Sequence, residues 1–272
     1  MKKIVALILT YNEENIIGEC LTALDFVDEI VVFDSFSTDK TESIALAHSA
    51  KVVKREFDNY ANQRNEAIKY VSEKFDWILM IDADEIVPLA LANEIKNIYN
   101  NSGTKETMFR VRRKDMFQNK WIKQSSGYPT WFPRLFKSGN VTVSRAINEE
   151  YNSLGPEGFL QEKLIHYPFN KGLTWWFEKH NRYSLMEAQI MLREKKIPIV
   201  IKNLFSKNQV IRRKEQKRLS YIIPFRPIFI FISFYILKGG FMNGRAGYRF
   251  CKLRLIYETM IDYKVNEIKD RN

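Results

Sequence analysis

Hydrophobic residues in the first part of the chain come in short unbroken runs rather than in alternation. Lys3–Leu9 (KIVALIL), Glu29–Phe33 (EIVVF) and Trp77–Ile81 (WILMI) are such runs, and Lys51–Lys54 is a shorter one. Runs of this kind predict strands covered on both faces, as in a parallel sheet lying between helices. The segments between them carry helical signals. Glu14–Leu24 follows Asn12 as a cap, Asp39 or Thr41 caps a helix running to Ala47, and Tyr60–Ser72 repeats apolar residues at helical spacing. The order β-α-β-α-β-α-β predicts a doubly wound α/β layer, a fold class that binds ligands outside the carboxyl ends of its strands. Residues 104–167 predict a mixed β region, broken by Gly127, Pro129, Pro133, Gly139 and Gly155-Pro156. Residues 171–196 predict a helix. After Ile197-Pro198 the composition shifts to a basic, aromatic, mainly helical tail. These shifts divide the chain at 198, into a region 1–198 with halves 1–103 and 104–198, and a C-terminal region 199–272.

The polar clusters sit at the predicted strand ends. Strand one ends in Thr10-Tyr11-Asn12-Glu13-Glu14, strand two in Asp34-Ser35-Phe36-Ser37-Thr38-Asp39, and the fourth strand in Asp82-Ala83-Asp84-Glu85. Three clusters at three matching ends converge on one edge of the sheet. Two carboxylates one residue apart, Asp82 and Asp84, can reach a hard divalent cation and the phosphates it bridges. Mg²⁺ or Mn²⁺ held there neutralises charge building on a leaving diphosphate. Alone, D-x-D is also what an Asp-rich turn before a helix looks like; the companion clusters distinguish the two. No G-x-G-x-x-G follows strand one and no G-x-x-x-x-G-K-[ST] occurs, which argues against a dinucleotide cofactor and a P-loop.

The chain has 272 residues, 45% of them hydrophobic, which provides a core and excludes global disorder. Two cysteines, Cys20 and Cys251, form neither a disulfide framework nor a zinc pattern and suit a reducing compartment. The amino terminus, with no small-residue cleavage site before its polar residues, reads as a strand and not a signal peptide. The net charge of +11 becomes informative once located. Residues 200–272 hold 16 basic and 5 acidic residues, while the first 199 are balanced. A neutral body with a basic end predicts a surface for phosphates.

TYNEE after the first strand, VVFDSFSTDKT through the second, NQRNEA on the third helix and DADE after the fourth strand resemble the family-2 glycosyltransferases. These are inverting, nucleotide-sugar-dependent enzymes of the GT-A fold. The resemblance covers roughly the first 190 residues in order and spacing. WFPRLF (Trp131–Phe136), INEEY (Ile147–Tyr151) and LIHYPF (Leu164–Phe169) resemble the subset that builds lipopolysaccharide core and surface polysaccharide. Where that subset usually has an HE pair, this chain has Asn148-Glu149.

The resemblance implies roles. Residues 1–103 become the nucleotide-sugar half and 104–198 the acceptor half. Thr10, Tyr11 and Glu13 line the nucleotide base pocket, and Asp34 accepts a hydrogen bond from the uracil N3–H. Arg64 lies near the diphosphate, where a planar guanidinium suits phosphate oxygens. Asp84 is the principal metal ligand, with Asp82 touching the ribose or a metal-bound water. Inversion needs a base within hydrogen-bond reach of the acceptor hydroxyl, and Glu149 is the carboxylate in the segment where family members place one. His166, in LIHYP, stands where GT-A enzymes can bring a late histidine to the metal; a lone histidine in an apolar run is also a common core residue. Lys179 and Arg182 read equally as diphosphate partners or a solvated helix face, and Trp175-Trp176 as core or as a sugar platform.

The tail contains the apolar stretch 221–237 (YIIPFRPIFIFISFYIL), interrupted by Pro224, Arg226 and Pro227. Its uninterrupted part is shorter than the about 20 residues a spanning helix needs. Aromatics framed by Arg and Lys suit monotopic docking on anionic lipid; the rival is a buried helix packed on the catalytic domain or in a dimer. No nucleic-acid-binding signature accompanies the charge. The expectation is therefore a glycosyltransferase using a UDP-sugar, a saccharide acceptor on a lipid carrier or lipopolysaccharide core, and peripheral placement on the cytoplasmic face of the inner membrane. The sequence also admits a homo-oligomer. Polyprenyl phosphate is the rival acceptor and metal-dependent nucleotidyl transfer the rival chemistry.

Overall fold

The computed structural model describes residues 4–144, 150–207 and 209–271. In chain order the elements are β1 (Ile4–Thr10), α1 (Ile17–Thr22), β2 (Glu29–Asp34), α2 (Thr41–Ala47), β3 (Lys51–Lys54), α3 (Tyr60–Ser72), β4 (Trp77–Asp82), β5 (Glu85–Ile86), α4 (Leu89–Asn100), β6 (Met108–Phe117) and β7 (Lys120–Trp121). They continue with β8 (Trp131–Lys137), β9 (Val141–Ser144), β10 (Glu150–Ser153), β11 (Glu157–His166), α5 (Gly172–Glu194), α6 (Ile201–Leu204), α7 (Gln209–Ser220), α8 (Arg226–Ile232) and α9 (Gly244–Asp270). Two compact units result: residues 1–116 with 128–170, and residues 117–127 with 171–272.

The first unit is built on a mixed sheet with strand order β3-β2-β1-β4-β8-β6-β11-β5. The first four strands are parallel, as the unbroken apolar runs predict. Alternate residues of one run serve opposite faces of the sheet. Ile4, Ala6 and Ile8 of β1, with Trp77, Leu79 and Ile81 of β4, pack in one cluster with Ile17, Leu21 and Ile95. Val5, Leu7, Ile78 and Met80 pack in the other with Val31, Phe33, Ile68 and Val71. A polar residue in either strand would lie in one of these cores, which is why the runs are unbroken. The second half departs from a purely parallel sheet. β8 runs antiparallel to β4 and β6, β11 runs parallel to β6, and short β5 closes the edge antiparallel to β11.

α3 fastens the β9–β10 ribbon through one amide side chain. Asn65 Nδ2 donates to the carbonyl of Val143 at 2.8 Å, and the Val143 N–H donates to Asn65 Oδ1 at 2.9 Å. Tyr151, opposite Val143 in the ribbon, is buried and places its hydroxyl 3.3 Å from Met80 Sδ.

In the second unit the long helices α5 and α9 pack through Ala188, Met191, Tyr221, Ile261 and Val265. Trp176, left between core and platform by sequence, is buried and stacks on His180 at 3.8 Å, with Tyr257 edge-on to the same imidazole. Buried charges are paired: Arg226 with Glu258, and Arg218 with Glu215 at 3.0 Å. A Cβ at Gly247 would run into the carbonyl oxygen of Gly240, so glycine lets the first turn of α9 close on the turn before it. No single helix among the described residues is long and apolar enough to cross a bilayer. The stretches Arg226–Leu237 and Gly240–Asp270 pass such a test only together, and they are bent by 69°.

Replacing Asn65 by Ala strips Val143 of two backbone partners at once. The expected loss is about 1–3 kcal/mol of unfolding free energy, with Asn65→Asp, which keeps only the acceptor, falling between. Urea titration measures it, and an unchanged midpoint in N65A would contradict this role for the side chain.

Candidate active site

Strand register brings the polar clusters together. Thr10 is paired with Asp34 across β1–β2, and Leu9 with Asp82 across β1–β4. Asp34 and Asp82 thus flank the end of β1, about 10 Å apart at the usual strand spacing.

On the β1–β2 side, side chains and backbone lace two loops together. Asp34 is fully buried; Thr10 Oγ1 donates to it at 3.0 Å, and Ser37 donates through both its hydroxyl and its N–H, the latter at 2.8 Å. The Asn12 N–H donates to Ser37 Oγ at 2.8 Å, and Asn12 Oδ1 accepts from the Thr38 N–H at 2.8 Å. The Glu13 N–H donates to Thr41 Oγ1 at 2.7 Å. Asp39 accepts the N–H groups of Glu14 and Thr41; burial works against its charge, but these donors and the Thr41 hydroxyl hold its carboxyl below the usual range. Glu13 is in turn bonded by Asn170 Nδ2 at 2.7 Å, while Tyr11 stands 52% exposed. The Asp34 carboxylate, expected against a uracil edge, lies beneath the loop it organises.

On the β4 side the chain builds a dense cluster of charges. Arg134 of β8 is buried and forks onto two carboxylates. Its Nε donates to Glu85 at 2.7 Å, and its Nη2 to Asp82 at 2.5 Å and Glu85 at 2.8 Å. Arg64 of α3, also buried, donates to the other oxygen of Asp82 at 3.0 Å. Arg113 reaches Glu85 at 3.3 Å and stacks its guanidinium on Phe132. Burial opposes a charged Asp82, yet Arg134 and Arg64 hold its carboxyl far below the usual carboxylate range.

His166 is placed by two strand pairings, opposite Glu85 across β11–β5 and opposite Asp115 across β11–β6. Its Nδ1 lies 2.7 Å from Asp115 and its Nε2 3.3 Å from Asp84. The Tyr167 N–H donates to the Asp84 carbonyl at 2.9 Å, which sews the DADE turn to the end of β11. Burial disfavours the charged imidazole and Arg113 repels it, but Asp84 and Asp115 outweigh both and raise its pKa to about 9.

These groups fit a divalent cation. A histidine held at Nδ1 by a carboxylate presents Nε2 beside a second carboxylate, the arrangement by which proteins orient an imidazole ligand. Among the described residues no three His, Cys, Asp or Glu side chains form an ion cage by themselves. A two-ligand set suits Mg²⁺ or Mn²⁺, which keep positions for water and substrate phosphates. Binding would displace the His166 proton.

The structure therefore joins Asp82, Asp84, Arg64 and His166 in one cluster, and Thr10 with Asp34 one strand away. Glu149 lies outside the described residues. Val143 and Tyr151, on either side of 145–149, are both held against α3: Val143 by Asn65, and Tyr151 with its ring 6.0 Å from the Arg64 guanidinium. Glu150 is exposed while Tyr151 is buried, the alternation of a strand. Lys179 and Arg182 belong to the second unit, where Lys179 sits over the ring of Trp175. Sequence reasoning gave no role to Arg134, Arg113 and Asp115, and named Glu85 only as the last residue of the DADE cluster. One signal was present: Arg134 is a charge inside the otherwise apolar segment WFPRLF.

The model of the family described as "Glycosyl transferase family 2" matches residues 5–153. A glycosyltransferase of Rickettsia typhi is 38% identical over 211 residues, covering 72% of this chain and 70% of the relative. Another, of Rickettsia felis, is 28% identical over 208 residues, covering 72% of each. Among solved structures, glucosyl-3-phosphoglycerate synthase from Mycobacterium tuberculosis, in complex with Mn²⁺, UDP and glucosyl-3-phosphoglycerate, is 24% identical with a TM-score of 0.35; the match covers 42% of this chain and 44% of that one.

Arg134→Ala leaves Glu85 without its main counter-charge. The expected loss of stability is about 3–5 kcal/mol, partly restored in Arg134→Lys, which keeps the charge without the fork. Chemical denaturation of both variants decides this; wild-type stability in R134A would show that the fork contributes nothing.

Proposed function

This chain belongs to glycosyl transferase family 2 and is a glycosyltransferase that works from a nucleotide-sugar; from that premise we propose that it transfers a hexose-type sugar from a UDP-sugar, with inversion, to a saccharide acceptor on a lipid carrier or lipopolysaccharide core. The observation that carries this reading is the Asp84–His166–Asp115 line beside the arginine-clamped Asp82.

The laced β1–β2 loops receive the nucleoside, with Thr10, Tyr11 and Glu13 lining them and Asp34 shaping them from beneath. Asp82 faces the ribose side. Arg64 lies near the diphosphate, where its planar donor geometry suits phosphate oxygens, and Arg134, its donors taken by Asp82, Glu85 and the Pro133 carbonyl, holds those carboxylates in place. Asp84 and the neutral His166 would hold Mg²⁺ or Mn²⁺, which supplies positive charge where the diphosphate departs. Asp115 keeps the His166 ring in position. Glu149 accepts the proton of the acceptor hydroxyl as its oxygen attacks the anomeric carbon from the face opposite the diphosphate. One new C–O bond forms as the bond to the diphosphate breaks, so the configuration inverts. Nucleotidyl transfer loses its ground, because the family match assigns sugar transfer.

A lipid-borne acceptor requires work at a membrane surface, and we place the chain peripherally on the cytoplasmic face of the inner membrane. Supporting this, Phe225, Ile228, Phe229, Ile232, Ile236 and Leu237 are exposed along one short helical stretch. Lys238, Arg245, Arg249 and Lys252 are exposed in the same part of the chain, with no acidic residue between Gln216 and Glu258, a pattern suited to anionic lipid.

Thermal shift with Mn²⁺ against UDP-, GDP-, CDP- and dTDP-sugars tests the donor. Stabilisation by the UDP-sugar that depends on Mn²⁺ and is lost in Asp84→Asn is expected; metal-independent binding would sink the metal assignment. Glu149→Gln should bind the donor normally and transfer about 10²–10⁴-fold more slowly. Wild-type turnover would remove Glu149 from the mechanism. In sedimentation with vesicles, the protein should pellet with anionic lipid at low salt and be released at high salt. Protein that stays in the supernatant throughout would refute membrane docking.

A further inference from the structure

We propose that Phe36 is the platform on which the nucleobase of the donor stacks, an inference that rests on the nucleotide-sugar reading above. Phe36 has a φ of 58°, in the left-handed region that favours glycine and strains a bulky residue. Packing does not compensate: the residue is 50% exposed, and no described ring lies against its own. Nor does the loop need its side chain. The bonds that shape this turn come from Asp34, Ser37 and Asn12, and Gln63 Nε2 reaches Ser35 Oγ at 3.2 Å. Glycine would keep every one of them and relieve the backbone. What phenylalanine adds is a ring face open to solvent, two residues beyond Asp34.

Position selects the occupant. The residues that would hold the cation and diphosphate lie at the end of β4 and on α3, and Phe36 follows β2, with β1 between β2 and β4. Two strand spacings, about 10 Å, separate the two sides, a span suited to a nucleoside whose phosphates sit at Asp84 and Arg64. The Ser35 N–H donates to the Thr10 carbonyl at 3.0 Å, so Phe36 emerges on the same edge as the exposed Tyr11. A flat heteroaromatic base is a ligand for which an exposed ring beside hydroxyl and amide groups is suited.

The test is calorimetric titration of UDP, and of inorganic pyrophosphate as the baseless probe, each with Mn²⁺. Phe36→Gly should bind UDP roughly five- to a hundredfold more weakly, with pyrophosphate affinity unchanged and a thermal midpoint at or above wild type. Phe36→Tyr should restore UDP binding; Phe36→Leu, apolar but not aromatic, should not. A folded F36G that binds UDP like wild type overturns the stacking role and leaves the donor reading intact. A wild-type chain that binds no nucleotide at all overturns both. An equal loss for UDP and pyrophosphate overturns stacking in favour of a loop-shaping role.

Discussion

The Arg134 guanidinium between Asp82 and Glu85 is the interaction on which the site depends. A buried fork can satisfy two carboxylates at once only if three strands deliver them at fixed distances. β4 brings Asp82, β5 brings Glu85 and β8 brings the arginine. With Glu85 fixed, β11 is in register and His166 stands opposite it, between Asp84 and Asp115. The antiparallel second half of the sheet thus has a chemical consequence. It carries an arginine to the carboxyl end of β4, which a purely parallel continuation from β4 would not do.

Charge balance in this cluster explains how so many ionisable groups coexist in a largely buried place. Asp82, Asp84, Glu85 and Asp115 face Arg64, Arg113, Arg134 and a readily protonated His166. A divalent cation held by Asp84 and His166 would take the place of the imidazolium proton. Asp82 is held ionised by two arginines and so keeps their guanidinium groups aligned at the edge where phosphates are expected. Across β1 the principle differs: Asp34 and Asp39 use neutral donors, hydroxyls and backbone N–H groups, to shape loops.

The second unit uses charge in two ways. Glu258 and Glu215 are buried against Arg226 and Arg218, which is internal structure. Lys238, Arg245, Arg249 and Lys252 are instead exposed with no acidic residue within four positions in sequence, and they accompany exposed Phe, Ile and Leu side chains. The same composition statistic, a net positive tail, covers both uses.

The sequence by itself determined the parallel half of the sheet and which segments carry chemistry. Short unbroken runs such as IVALIL and WILMI, bounded by polar residues, fit strands buried on both faces, and a parallel layer then puts TYNEE, DSFSTD and DADE on one edge. Local patterning also predicted a helix over 171–196 and the mixed β region over 104–167. Only the tertiary structure decided how that β region pairs, because β8, β6 and β11 meet through register set by distant partners rather than by local periodicity. That pairing is what made Arg134, Glu85, Arg113 and Asp115 one cluster. Separately, the packing of α5 with α9 put Trp176 in a core with His180 and Tyr257, and the bonds from Thr10 and Ser37 buried Asp34 under its own loop. A residue's type and neighbours in sequence state what it can bond to; the fold alone states which bonds are already taken.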